Sequence, residues 1–376
     1  MESKIKRSVI KLTALTTMFG IFAPIAMNKT NKVEAAYDKT EMRNFVRSTL
    51  AKNKVRGTVV VVKDGQPQQI SYGYGYYGRR LGAGNTKVVY PICSLQKVIT
   101  GAIITQLIYA KKFDQNTKIS KWYPNLKNAD NITVGNLLTH TSGIVTTGTE
   151  VNRGRVVSEQ SAIDWVVNKI NSDKQGTAGN YYYNNANYIL LAGIIRQETG
   201  DSYANAVNNR VIKPLGLQRT FFYEDIPFKT KTDAISYTYN YSTNKNYKDA
   251  EYVKQSLASQ LPGAGNLFSV PMDYYRIQVG LTNGKILTGD EFKFLTNIQA
   301  KVTEYSGGLY VKNDGKLKMA YGNLYGTHFG NWFQMTTDNK DGMIMFLNQN
   351  QNNESQNKAV GYEILNHVKA NTFSEK

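Results

Sequence analysis

Lys87-Val88-Val89-Tyr90-Pro91-Ile92-Cys93-Ser94-Leu95-Gln96-Lys97-Val98-Ile99 passes from a strand-like run into an apolar, helix-like one that continues to Ile108. At the junction it sets a serine and a lysine three residues apart. Residues i and i+3 share one face of a helix, so the Lys97 amine can reach the Ser94 hydroxyl. A serine hydroxyl is a weak nucleophile until a neighbouring base takes its proton, and a lysine held in a low-polarity pocket can be that base. Ser-x-x-Lys occurs five times, at Ser3, Ser8, Ser94, Ser242 and Ser355. Only Ser94 lies between a strand-like and a helix-like run. Ser242 and Ser355 sit in Tyr/Asn-rich and Asn/Gln-rich stretches, and Ser3 and Ser8 in an N-terminal leader. Cys93, the single cysteine, cannot form an internal disulfide and reads as a small apolar filler beside the serine.

The leader spans residues 1–35. Lys4, Lys6, Arg7 and Lys11 form a basic start, and Leu12 to Met27 an apolar core interrupted by Pro24. Val33-Glu34-Ala35 then offers a small-residue cleavage site. This predicts an exported chain, secreted or held at the cell surface, with residues 36–376 as the working domain. The alternative, an uncleaved anchor, is disfavoured by Pro24 and by the modest apolar length. Net charge is +18, of which the leader contributes +4, leaving +14 on the remainder. Such a surface favours a polyanion, and for an exported chain that means an anionic cell-wall polymer or anionic lipid at a membrane surface. No zinc finger, RNP pattern or basic helix supports nucleic-acid binding. His140, His328 and His367 lack metal-ligand spacing, so no metal or other cofactor is expected.

Outward from Ser94 the pattern is α+β. A helix begins near Thr40, capped by Asp38 or Thr40, and Arg56 to Lys63 reads as a strand. The Asp64-Gly65 turn returns the chain through a second strand, Gln69 to Gly75. Residues from about 110 to 260 read as loops and helices, among them Ser161 to Ile170 and Asn187 to Thr199. Strand signals resume at Gly307 to Val311, Asn331 to Met335 and Met343 to Leu347, before a final helix from about Lys358 to Ala370. This order predicts an antiparallel sheet built from both chain ends and flanked by helices, with a mostly helical region inserted between them.

Several segments then fall in a recognisable order. After Ser94 and Lys97 come Leu137-Leu138-Thr139-His140-Thr141-Ser142-Gly143, Tyr183-Asn184-Asn185-Ala186-Asn187-Tyr188-Ile189-Leu190-Leu191, Pro214-Leu215-Gly216-Leu217 and Gly263-Ala264-Gly265-Asn266-Leu267. With them the chain resembles the serine β-lactamase-related, penicillin-binding-protein-like superfamily, in its class C and DD-peptidase branch. Within that branch it looks most like the FmtA-type D-alanyl esterases of teichoic acids.

The resemblance implies a β-lactamase/transpeptidase-like fold and a serine hydrolase. Ser94 would be the acylated nucleophile and Lys97 its proton acceptor. Tyr183 would be a second general base, helped if nearby cations lower its pKa, and Asn185 a hydrogen-bonding partner of the lysine or the substrate. Tyr203-Ala204-Asn205 is a decoy of the same form, and the phase set by Tyr188-Ile189-Leu190-Leu191 selects Tyr183. His140 in its landmark is read as a packing and loop-ordering residue. The family's Lys-Thr-Gly triplet is missing. Tyr325-Gly326-Thr327 is its expected replacement, with the backbone N–H of His328 completing an oxyanion hole; Asn323 is the alternative. Without that lysine, nothing pairs with the carboxylate of a penicillin or stem peptide. The implied substrate is therefore a D-alanyl ester of teichoic or lipoteichoic acid. A DD-carboxypeptidase, or a non-catalytic wall-binding protein of the same fold, is the rival reading.

Overall fold

The computed structural model describes residues 38–372 except 77–78, 83, 86, 227–232, 299–301 and 351–353. The leader lies outside the described residues. Helix α1 (Lys39–Lys52) starts where Asp38 accepts hydrogen bonds from the N–H groups of Thr40 and Glu41, at 2.7 and 3.0 Å. That satisfies two of the donors a helix start leaves unpaired. Strands β1 (Arg56–Lys63) and β2 (Gln66–Tyr72) follow as a hairpin. Asp64 and Gly65 both take positive φ, 51° and 75°, which is the turn geometry that matches strand twist.

The main sheet adds β3 (Ser236–Asn240), β4 (Lys245–Glu251), β5 (Tyr305–Ser306), β6 (Leu309–Lys312), β7 (Leu317–Gly322), β8 (Gly330–Thr336) and β9 (Gly342–Gln349). Its main path is β5-β6-β7-β8-β9-β1-β2 with antiparallel neighbours, so the two chain ends meet at the β9–β1 pair, while β3 joins off that path, parallel to β9 at Tyr237 and Gln349, and pairs antiparallel with β4. Val59 lies opposite Met345 on one side and Ile70 on the other. Every residue of β9 is buried, so both of that strand's faces are covered. Trp332 and Phe333 on β8 show this alternation. Trp332 packs on Gly361 of helix α7 (Glu354–Ala370), which lies beside α1. Phe333 meets Tyr274 of helix α6 (Pro271–Gly280).

The inserted region carries α2 (Lys97–Tyr109), α3 (Val134–Leu138), α4 (Glu159–Ser172) and α5 (Asn185–Thr199). A short 3₁₀ turn, Cys93–Gln96, leads into α2. No described helix is long and apolar enough to cross a membrane. Two features depart from expectation. The β3–β4 hairpin sits within the stretch read as helical and loop, its charged second strand almost bare of apolar residues. Strand β7 carries no sequence signal because its second residue, Lys318, is a lysine. Its ammonium is nevertheless fully buried, donating to Gln278 O at 3.1 Å and Asn339 Oδ1 at 2.6 Å.

Candidate active site

The 3₁₀ turn before α2 places Ser94, half-buried, beside a fully buried Lys97. Lys97 Nζ donates to Ser94 Oγ at 2.9 Å and to the Ala264 carbonyl at 3.0 Å. Thr100, one turn further along α2, donates to the Gly263 carbonyl at 2.7 Å, so the Gly263-Ala264-Gly265 loop is pinned along the base of the site. Burial moves the Lys97 pKa from 10.5 down to about 7, against the opposing pull of the Glu150 carboxylate. Near neutral pH a large fraction of this lysine is a free amine, the form able to take the serine proton.

The turn between β5 and β6 closes over the lysine. Gly308, at φ 101°, lies so near α2 that a Cβ would stand 2.2 Å from Val98 N. Only glycine fits there.

Tyr183 enters from the loop before α5. Its ring is 5.1 Å from Lys97 Nζ, and its hydroxyl interacts with Ser94. Burial drives the Tyr183 pKa well above the ordinary tyrosine value, only partly offset by Ser94. The condition that would have helped Tyr183 act as a base, a pKa lowered by neighbouring cations, is therefore not met. Lys97, the cation beside the ring among the described residues, has its own pKa lowered to about 7 by burial, so its charge is partly lost at neutral pH. Tyr183 is a neutral phenol, suited to relaying or donating a proton rather than to abstracting one as a phenolate.

The His140 landmark explains how Tyr183 is held. The imidazole packs at a tilt against both rings, its centroid 4.2 Å from that of Tyr183 and 4.7 Å from that of Tyr305. Its Nδ1 accepts from the Asn184 N–H at 3.3 Å and lies 2.8 Å from Asn187 Nδ2, while Ser142 Oγ donates to Asn187 Oδ1 at 2.6 Å. Burial, and then Lys97, keep its pKa well below 6.5, so the ring is neutral. The Tyr203 decoy is buried away from the nucleophile, bonded to Thr100 Oγ1 at 2.8 Å and Gln96 Nε2 at 3.2 Å.

Asn185 opens α5 but does not bond Lys97. Its Nδ2 donates to Glu150 Oε1, and its Oδ1 is buried with no partner. Glu150, on the loop between α3 and α4, was invisible to sequence reasoning, since nothing around Thr149-Glu150-Val151 marks it.

A cavity of about 310 Å³ joins these groups. It is lined by Ser94, Glu150, Tyr183, Tyr305, Tyr310 and Asn323, with Gly308, Ala320, Tyr321 and Glu354. The third element also needs correction. The His328 N–H donates to Ser236 Oγ at 3.0 Å and is therefore engaged elsewhere. Gly326 and Thr327 line a neighbouring depression that shares only Glu150 with the cavity. The strand that reaches the nucleophile is β7, where a Cβ on Gly322 would lie 3.1 Å from Cys93 Cβ. Asn323, immediately after it, lines the cavity and is the better candidate for the second oxyanion donor. Among the described residues no group of three or more His, Cys, Asp or Glu is placed to hold a metal.

Comparison with known proteins agrees with this architecture. The beta-lactamase family model matches residues 42–365. A teichoic acid D-alanine hydrolase of Staphylococcus aureus is 30% identical over 345 residues, covering 89% of this chain and 79% of that protein. The crystal structure of FmtA from Staphylococcus aureus superposes with a TM-score of 0.71 at 25% identity, over 88% of this chain and 90% of that one. D-amino acid amidase from Ochrobactrum anthropi shares the fold with a TM-score of 0.72 at 17% identity, over 89% and 99% of the two chains. With a serine–lysine pair beside the main sheet and a family match over most of its length, the chain belongs to the beta-lactamase family.

Proposed function

We propose that this chain is an exported serine esterase that removes D-alanyl groups from teichoic or lipoteichoic acid through an acyl-enzyme on Ser94. One observation carries the reading. A near-neutral lysine touches the serine inside a cavity whose described lining holds two carboxylates and no lysine or arginine. Such a cavity suits a cationic acyl group and opposes a penicillin or stem peptide bearing a carboxylate. The S. aureus hydrolase to which the chain is similar bears the name of the same reaction.

In acylation the Ser94 proton passes to Lys97 Nζ as Oγ attacks the ester carbonyl. The oxyanion is received by the Ser94 N–H, at the positive end of the helix, and by the N–H of Asn323. The proton then travels from Lys97 through the Tyr183 phenol to the departing polyol oxygen, and the C–O bond breaks. Water repeats the sequence on the acyl-enzyme, releasing D-alanine and restoring the serine. Removing D-alanine returns net negative charge to the polymer, and the basic surface of the chain supports attraction to that polyphosphate.

The test is free D-alanine released from D-alanylated lipoteichoic acid by the wild type and by Ser94→Ala. Release by the wild type alone supports the esterase and its nucleophile together. Release by neither, with turnover of muropeptides ending in D-Ala-D-Ala, would replace the substrate with peptidoglycan.

A further inference from the structure

We propose that Glu150, with the amide of Asn185, is a binding site for the substrate's free α-ammonium group, and that it makes the enzyme selective for aminoacyl esters. The inference rests on the esterase reading and adds what that reading lacks, a reason for choosing alanyl over other acyl groups.

Glu150 lines the same cavity as Ser94, so an acyl group bound to the serine lies within its field. The α-nitrogen of an alanyl ester is separated from the reacting carbonyl by a single carbon, so ammonium and ester occupy that cavity together. Glu150 makes no ion pair among the described residues. Its recorded partner is the neutral amide of Asn185. Glu354, the other carboxylate on the lining, is paired with Lys358. Glu150 is thus a carboxylate at the cavity wall that no ion pair among the described residues engages.

Asn185 is only 8% exposed, and bonding to a carboxylate fixes its Nδ2 as the end facing Glu150. That bond holds the carboxylate at the cavity wall, where a ligand ammonium with its three donors would meet it. The rings of Tyr183, Tyr305 and Tyr310 complete the wall, and aromatic faces favour a cation.

Glu150 also raises the Lys97 pKa, so a variant there could act through the base instead. The experiment must separate the two. It compares kcat/KM for glycerol D-alaninate and glycerol propionate, which differ only by the amino group, in the wild type, Glu150→Gln and Glu150→Asp. Recognition of the ammonium predicts that Glu150→Gln lowers the alaninate-to-propionate ratio roughly 10- to 100-fold, mainly through KM, with partial recovery in Glu150→Asp. In the wild type the same ratio should fall as pH rises past about 8, where an α-amino group loses its proton. Equal losses on both esters, or a wild-type ratio that stays flat from pH 6 to 9.5, would overturn the inference while leaving the esterase intact. A wild type that hydrolyses neither the alaninate nor alanylated lipoteichoic acid would remove the esterase reading, and the inference with it.

Discussion

Replacing Lys97 by methionine should abolish activity and yet stabilise the protein most at low pH. The sign follows from linkage. In the folded chain Lys97 titrates at about 7, against 10.5 for an ordinary lysine. Below pH 7 the side chain is charged in both states, and folding carries the whole cost of burying an ammonium. Three and a half units correspond to roughly 5 kcal/mol. As pH rises above 7 the folded lysine sheds its proton while the unfolded one keeps it. The cost is therefore relieved progressively and vanishes near 10.5. At pH 6 nearly all of it remains, and at pH 9 only about 2 kcal/mol does. Methionine has similar length and no charge, so Lys97→Met removes the cost at every pH. The hydrogen bonds to Ser94 and Ala264 are lost at both pH values and largely cancel in the difference. Urea unfolding of both proteins at pH 6 and pH 9 should give a gain in the variant about 3 kcal/mol larger at the lower pH. A gain independent of pH would refute the depressed lysine, and with it the claim that Lys97 is a ready base at neutral pH.

The acid limb of kcat/KM should fall near pH 7 in the wild type as Lys97 takes up a proton, and Glu150→Gln should move that limb to lower pH because the carboxylate holds the lysine pKa up. Tyr183→Phe should reduce ester turnover about 10²- to 10⁴-fold with little change in Tm, since it removes a proton relay and leaves the ring packed against His140. Gly308→Ala should lower stability by several kcal/mol, seen as a large fall in Tm, because its Cβ would overlap the backbone of α2. Lys318→Met should reproduce the low-pH stabilisation of Lys97→Met in urea unfolding while activity is retained, because Lys318 is buried with a pKa of about 7 and its bonds among the described residues go to Gln278 and Asn339, away from the nucleophile.

What could be read from the chain divides along the range of the interactions involved. Ser94 and Lys97 were legible because their contact is local, fixed by helical spacing three residues apart. Tyr183 was legible because Tyr188-Ile189-Leu190-Leu191, on α5, fixes the alignment of the segment that leads into it. The third element failed for the opposite reason. Strand β7 joins the site by pairing along β8, and Lys318 interrupts the alternation that would announce it, being tolerated only because Gln278 and Asn339 come from elsewhere to meet its ammonium. The site was therefore sought too far along, at Tyr325-Gly326-Thr327, where Gly326 (φ 73°) turns the chain away. Composition is silent on the cavity itself. A net charge of +18 bears on long-range attraction to a polyanion. In the proposed esterase the choice of acyl group would depend instead on the few charges within reach of the ester carbonyl, where Glu150, from a loop without any marker, sets the sign. On that reading the basic surface would gather the polymer and the acidic wall would accept its one cationic substituent.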